Sequence, residues 1–432
     1  MNPVRKHLGA AARACGALLL LSTAISPALG HSIKARGSGT AGIAFPQDAT
    51  AARLSPSGMV FVGNRVDLGL TGMTNDVSYS VTGAPSGAPG TSGLFPETVK
   101  SKGGLSLAPN LGVNWMLGSR RSVGLVVYGS GTMFTDYPGS AGGGAGTFGG
   151  GPAGVSTEQL FLLPTYSEKM NETSAWGVSA VVVYHRFRAK GLGQMAPYVS
   201  DGTADNLSDM GYDVATGIGA KFGLQSEVHP GLTLAASYQT RVRMSKLDRY
   251  ADLFAEQGGF DVPPTLMVGF AWQMSPTSTL MFDFERTWHR DVASLGNSVS
   301  NFATWMATGN TDYLLGGDHG AGFGWRNTNL YKLGYQWQAS PTWTLRAGTY
   351  YGRHPIPSSE VVMNVLASGI QEWRMTAGFT KKMGPGRELT LSLLYAPRVR
   401  VSGTNPLDPA ANQTVELRSS QLGVETSWSL AF

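Results

Sequence analysis

Residues 421–432 alternate without a break. Leu422, Val424, Trp428, Leu430 and Phe432 fall on one face, with Thr426 as a neutral member, while Gln421, Gly423, Glu425, Ser427 and Ser429 fall on the other. Successive side chains of a β-strand point to opposite sides, so this period of two predicts a strand with one apolar and one polar face. The pattern recurs in Leu266, Val268, Phe270, Trp272 and Met274. It recurs again in Tyr331, Leu333, Tyr335 and Trp337 against Lys332, Gly334, Gln336 and Gln338, and in Leu389, Leu391, Leu393 and Tyr395 against Thr390 and Ser392. Each segment reaches the ~10 residues that a tilted strand needs to cross a bilayer. After Gly30 there is no apolar run of ~18 residues, the length that marks a membrane-spanning helix.

The connections separate a membrane barrel from a soluble β-protein. Tight turns are expected at Gly118–Arg121, Met170–Glu172, His229–Gly231, Ser275–Thr277, Ser340–Thr342 and Gly384–Gly386. Long polar or glycine-rich stretches lie between them, at Asn75–Gly103, Tyr137–Val155, Lys190–Gly211, Ser245–Phe260, Asp291–Asn327, His354–Ile370 and Ser402–Glu416. Short and long connections alternate, six of one and seven of the other, which predicts about 14 strands with both termini at the short-turn end. Segregation of loop length by end belongs to outer-membrane barrels, and a soluble sandwich has no reason for it. The fold class expected is all-β: a transmembrane antiparallel barrel. Tryptophans agree, with Trp115, Trp176, Trp272, Trp337, Trp343 and Trp428 near short turns or the C-terminus and Trp288, Trp325 and Trp373 near the other strand ends. They read as two interfacial girdles.

Composition supports this and removes other classes. Charged residues are 14% and glycines 58 of 432, with a mean hydropathy of -0.06, as expected when lipid-facing and lumen-facing residues average out. Arg5, Lys6 and Arg13 precede the apolar stretch Ala14–Ile25, and Ala28-Leu29-Gly30 follows it. Residues 1–30 therefore read as a cleaved export signal. Its removal takes the only cysteine, Cys15, and lowers the formal charge from +5 to +2, which gives no support to a nucleic-acid partner. Gly37–Gly42 matches G-x-G-x-x-G, but no strand precedes it, so it carries no nucleotide site. Neither G-x-S-x-G nor H-E-x-x-H occurs, and the histidines lack ligand spacing. The expectation is no enzyme, no cofactor and no metal.

Several stretches resemble the FadL-type transporters of long-chain fatty acids and hydrocarbons. These are Gly37–Gly42, Asp48–Ala52, Ser55-Pro56-Ser57-Gly58 (where the family carries Asn-Pro-Ala), Gly63–Leu68, Ala108-Pro109-Asn110, Trp325–Tyr335, Leu345–Tyr351 and Pro355-Ile356-Pro357. Terminal Phe432 resembles the signal that outer-membrane proteins present to the barrel-assembly machinery. The resemblance implies a small N-terminal plug at residues 31–57, including Ser55, Pro56 and Ser57, inside a barrel formed by 58–432. It also implies an apolar ligand that is caught among outer loops, held in an internal pocket and released sideways through a kinked third strand. That strand is expected over Ser122–Thr135. Gly129-Ser130-Gly131 supplies the candidate kink, since glycine in a strand marks a bulge or bend.

By register, Arg241, Arg243, Asp283, Glu285, Lys332, Arg346, Arg374 and Glu425 should face the lumen, because a cation on the lipid face costs ~2–4 kcal/mol at the midplane. Pairing with one another or with plug backbone is one role for them. The other is that Arg346, Lys332 or Arg374 holds a ligand carboxylate. Leu253, Phe254, Phe302 and Trp305 are candidates for an apolar capture site in the outer loops, or pack loop against loop. The function expected is uptake of hydrophobic small molecules across the bacterial outer membrane, among its lipid and lipopolysaccharide. A general diffusion porin and a structural or adhesive barrel are the alternatives. Fatty acid, aromatic hydrocarbon and terpenoid ligands all fit the sequence.

Overall fold

The alternating segments form one closed wall. The computed structural model describes residues 32–139, 147–149 and 151–432, so the expected export signal at 1–30 lies outside the described residues. Fourteen strands make the barrel: β1 Arg65–Thr82, β2 Leu105–Met116, β3 Arg121–Phe134, β4 Gly154–Lys169, β5 Ser174–Lys190, β6 Asp213–His229 and β7 Leu232–Gln239, followed by β8 Thr265–Ser275, β9 Ser278–Thr287, β10 Thr328–Gln338, β11 Trp343–Tyr351, β12 Trp373–Gly384, β13 Arg387–Thr404 and β14 Thr414–Ala431. Each strand runs antiparallel to its sequence neighbours, and β1 pairs with β14 from Arg65↔Ala431 to Thr82↔Thr414, which closes the ring. Closure leaves no sheet edge for the bilayer to solvate.

The faces follow the predicted register. On β14, Leu422, Val424, Trp428 and Leu430 are exposed, whereas Gln421, Gly423, Glu425, Ser427 and Ser429 are buried inside. Trp272, Trp337, Trp343 and Trp373 are likewise exposed on the outer surface. Trp325 departs from the girdle assignment: its Nε1 donates to Asn364 Oδ1 at 2.7 Å, and the ring packs on Phe323.

Six short turns and seven longer connections alternate as expected, with boundary changes at three long ones; that expected at Ser245–Phe260 widens to the residues between Gln239 and Thr265. β1 continues to Thr82, well past the expected loop start at Asn75. Thr74–Thr82 keep the period of two, and Val77, Tyr79 and Val81 are buried behind a polar outer face. The last long connection shrinks to the residues between Thr404 and Thr414. At the long-loop end the connections share a hydrophobic core of their own, which includes Tyr198, Tyr250, Phe254, Phe260, Phe302 and Val365.

Residues 32–64 precede β1 and lie within the ring. Three short 3-10 helices, Lys34–Ser38, Ala51–Arg53 and Pro56–Phe61, make up much of this segment, and most of its residues are buried. The expected division after Ser57 falls inside the third helix, and the wall begins only at Arg65.

Candidate functional site

Barrel side chains hold the N-terminal segment through its backbone. Asp283 accepts from Gly42 N and Ile43 N at 2.8 and 3.0 Å, and Asp67 accepts from Ala49 N at 2.7 Å. Thr376 Oγ1 accepts from Gly39 N at 2.7 Å, and Ser237 Oγ donates to Leu54 O at 2.7 Å. Ion pairs add charge matching: Arg36 with Glu425 and Lys34 with Glu388. Ser55, Pro56 and Ser57 sit against inward glycines of β5 and β6. A Cβ on Gly177 would stand 2.5 Å from the Pro56 carbonyl carbon, and one on Gly223 would collide with Ser55 Oγ. Those glycines let backbone meet backbone.

Beside this segment the lumen keeps a cavity of about 260 Å³. Its apolar wall comes from Tyr128, Phe161, Phe260, Met267, Trp325 and Leu330. Its polar wall comes from Arg53 of the N-terminal segment and from Lys221, Gln159, Gln239, Glu285 and Asp261. Tyr128 and Phe161 are stacked, with ring centroids 5.1 Å apart and planes 8° from parallel, and the Arg53 guanidinium lies 4.0 Å from the Tyr128 centroid. His289 borders the outer side, where its Nε2 is 3.2 Å from Thr328 Oγ1 and its ring meets Trp325 edge-on. Loss of solvation pulls the His289 imidazole down to about 4, so it is neutral at pH 7.

The same cavity touches β3, a strand whose alternation fails in the sequence, with Val126 and Tyr128 apolar opposite Val123, Leu125 and Val127. β2 and β3 pair only from Met116↔Ser122 to Asn110↔Tyr128. Beyond that point, residues 105–109 of β2 pair with β1 alone, and residues 129–134 of β3 pair with β4 alone. The β3–β4 register slips between Ser130 and Met133, opposite Gln159 and Thr157, so β3 carries one extra residue there. Such a bulge bends a strand away from its partner. Farther out the two chains meet again, where Lys102 N donates to Asp136 O at 2.7 Å. The stretch in which β2 and β3 do not pair is thereby framed on both sides. Ser130 and Tyr128 line the cavity at its edge. The apolar inward residues Val126 and Tyr128, which break the alternation of β3, pack on Ala51, Ala52 and Met59 of the N-terminal segment.

The ligand-holding cations expected from the sequence lie elsewhere. Lys332 faces inward but is spent on Glu285, Nζ to Oε2 at 2.6 Å. Arg346 donates to Gln336 Oε1, Thr380 Oγ1 and Gln47 Oε1 at 2.7–2.8 Å, so it braces the N-terminal segment. Arg374 donates to Gln421 Oε1 at 3.2 Å and lies over the Tyr350 ring. None of the three borders the cavity. Arg241 and Arg243 lie beyond β7, which ends at Gln239; Arg241 pairs with Asp261 at 2.6 Å and Arg243 is exposed. Phe254 and Phe302 are buried in the loop core, with Leu253 and Trp305 packed against it, so they form no open capture surface. Sequence reasoning missed Arg53 and Lys221. Lys221 carried a readable signal, a cation in the inward register of β6 between Gly219 and Gly223; Arg53 carried none beyond its position in the segment.

Comparison with known proteins agrees with this architecture. A family model described as outer membrane protein transport protein (OMPP1/FadL/TodX) matches residues 21–369. The fold is similar to that of the toluene transporter TodX of Pseudomonas putida, with a TM-score of 0.67 and 16% identity over 95% of this chain and 100% of that one. It is also similar to a FadL homologue of Pseudomonas aeruginosa, TM-score 0.63 and 16% identity over 94% and 99% of the two chains. The toluene transporter TbuX of Ralstonia pickettii gives 0.60 and 16% over the same shares. No curated sequence matches.

Proposed function

Because the chain belongs to the outer membrane transport family of FadL and TodX, we propose that it takes up apolar small molecules through the outer membrane and releases them sideways. The ligand enters among the outer loops, rests in the cavity beside Tyr128 and Phe161, and leaves through the window between β2 and β3 at Gly129-Ser130-Gly131. Residues 32–64 act as a plug that blocks straight passage to the periplasm. Residues 1–30 direct export, and Phe432 presents the chain to the assembly machinery. The protein is a channel and performs no catalysis.

One observation carries this reading: the cavity wall includes Ser130, at the point where β3 has lost β2 and gained its bulge. A diffusion porin needs an aqueous lumen, whereas here buried backbone and ion pairs occupy it. The test is deletion of Gly131, which removes the extra residue and lets β3 pair regularly. In cells where this protein is the uptake route, tested with toluene, 4-methylbenzoate and palmitate, the deletion variant should reach the membrane, fold and lose whichever uptake the natural protein shows. Uptake equal to that of the natural protein would place the exit elsewhere.

A further inference from the structure

The charges around the cavity are unevenly matched, and the mismatch bears on what it holds. Each bordering carboxylate has its own cation: Glu285 pairs with Lys332 and Asp261 with Arg241, both at 2.6 Å. The two bordering cations have no such partner. Among the described residues no carboxylate lies at ion-pair distance from Arg53 or Lys221. Arg53 Nη1 donates to Asn110 Oδ1 at 2.7 Å, while its Nε and Nη2 are buried without an acceptor. Lys221 Nζ donates to the Arg53 carbonyl oxygen.

Buried donors almost always find a partner, and buried charges find a counter-charge. Two unmet donors on one guanidinium therefore call for an acceptor from outside the chain. Nε and Nη2 form the planar side of the guanidinium that engages both oxygens of a carboxylate. The surroundings set the rest of the ligand. Tyr128 and Phe161 line the cavity as a stacked pair beside Arg53, and Phe260 and Trp325 add further aromatic wall. A volume of about 260 Å³ falls just below the roughly 300–1,000 Å³ of ordinary small-molecule pockets. It suits a compact ring better than a long extended chain.

We propose that the cavity binds a compact aromatic carboxylate, with the carboxylate on Arg53 Nε and Nη2 and Lys221 Nζ and the ring against Tyr128 and Phe161. This rests on the uptake reading above and narrows its ligand to an acid, distinct from neutral hydrocarbons and from long-chain fatty acids. One cation belongs to the N-terminal segment and the other to the barrel wall, so the ligand bridges the two.

The experiment is a calorimetric titration of the purified full-length protein in detergent with 4-methylbenzoate, para-xylene and palmitate. The acid should bind about tenfold or more tighter than para-xylene, which has a methyl group in place of the carboxylate. Lys221→Met should weaken the acid by about tenfold and leave para-xylene within about twofold. Arg53→Gln should act in the same direction, with Arg53→Lys recovering part of the loss. Since Arg53 also holds its own segment, Lys221→Met is the deciding variant once its heat-modifiable migration shows a folded barrel. Equal or tighter binding of para-xylene, with no effect of Lys221→Met, overturns the acid and leaves the uptake reading standing. Tighter binding of palmitate than of 4-methylbenzoate overturns the compact ring. Binding of none of the three overturns the cavity as the transport site altogether.

Discussion

Arg36 of the N-terminal segment and Glu425 of β14 form an ion pair shut away from solvent, Nε to Oε2 at 2.6 Å, with side chains 3% and 1% exposed. Glu425 also accepts from Thr71 Oγ1 at 2.6 Å, which ties the first strand to the last around the same carboxylate. Removing one partner of a buried pair strands the other charge, at a cost of about 3–5 kcal/mol. Glu425→Ala should therefore loosen residues 32–64 before it unfolds the barrel. Limited proteolysis in detergent should show early cleavage within that segment while the barrel keeps its heat-modifiable migration. Unchanged protection of the segment would mean that the pair does not anchor it.

Close backbone approach makes a second anchor. Ser55 and Pro56 reach the wall only because Gly223 and Gly177 have no Cβ. Gly223→Val should push the third short helix off the wall and raise ion conductance, while the outward face of β6, with Phe222 and Leu224 exposed, stays intact. Conductance as low as in the natural protein would show that the segment has room to move aside without opening a path.

Arg346 was a natural candidate for holding a ligand carboxylate, and the structure gives it to Gln47, Gln336 and Thr380. Arg346→Ala should leave the affinity for any ligand of the cavity within about twofold. It should also increase hydrogen exchange around Gln47. A tenfold loss of affinity without change at Gln47 would return Arg346 to the binding site.

The cavity's outer edge should respond to acid. Its loss of solvation places His289 at about 4, below the unfolded value of ~6.5. A depressed histidine favours the folded state when neutral. Its contribution is complete above ~6.5 and is lost as pH falls through about 4. Trp325, whose ring centroid lies 5.3 Å from that of His289, should report this by a fluorescence change as pH falls toward 4, with the loop residues 288–327 gaining hydrogen exchange. His289→Gln should flatten the response. A change that persists in that variant would belong to another group.

The wall was legible because a barrel writes its geometry locally. In β14 every second residue declares lipid or lumen, and in the chain as a whole loop length declares which end is which. The break in β3 was legible for the same reason: Val126 and Tyr128 violate the alternation, and the structure shows them turned onto Ala51, Ala52 and Met59. The interior was not. Which inward cation meets which carboxylate depends on registers between strands far apart in sequence and on where the N-terminal segment lies. Lys332 pairs with Glu285 across adjacent strands, whereas Arg53 comes from a segment with no period to read. Phe254 and Phe302 were left between a capture site and loop-against-loop packing because a linear pattern does not separate the two, and the structure gives the packing.

Single-channel recording in a planar bilayer tests the closed lumen and sideways release most directly. The intact protein should be nearly silent, and deletion of residues 32–64 should open a large, steady conductance. A large ohmic current through the intact protein would contradict the account, since it requires an open aqueous path where the structure places buried backbone and the Arg36–Glu425 pair.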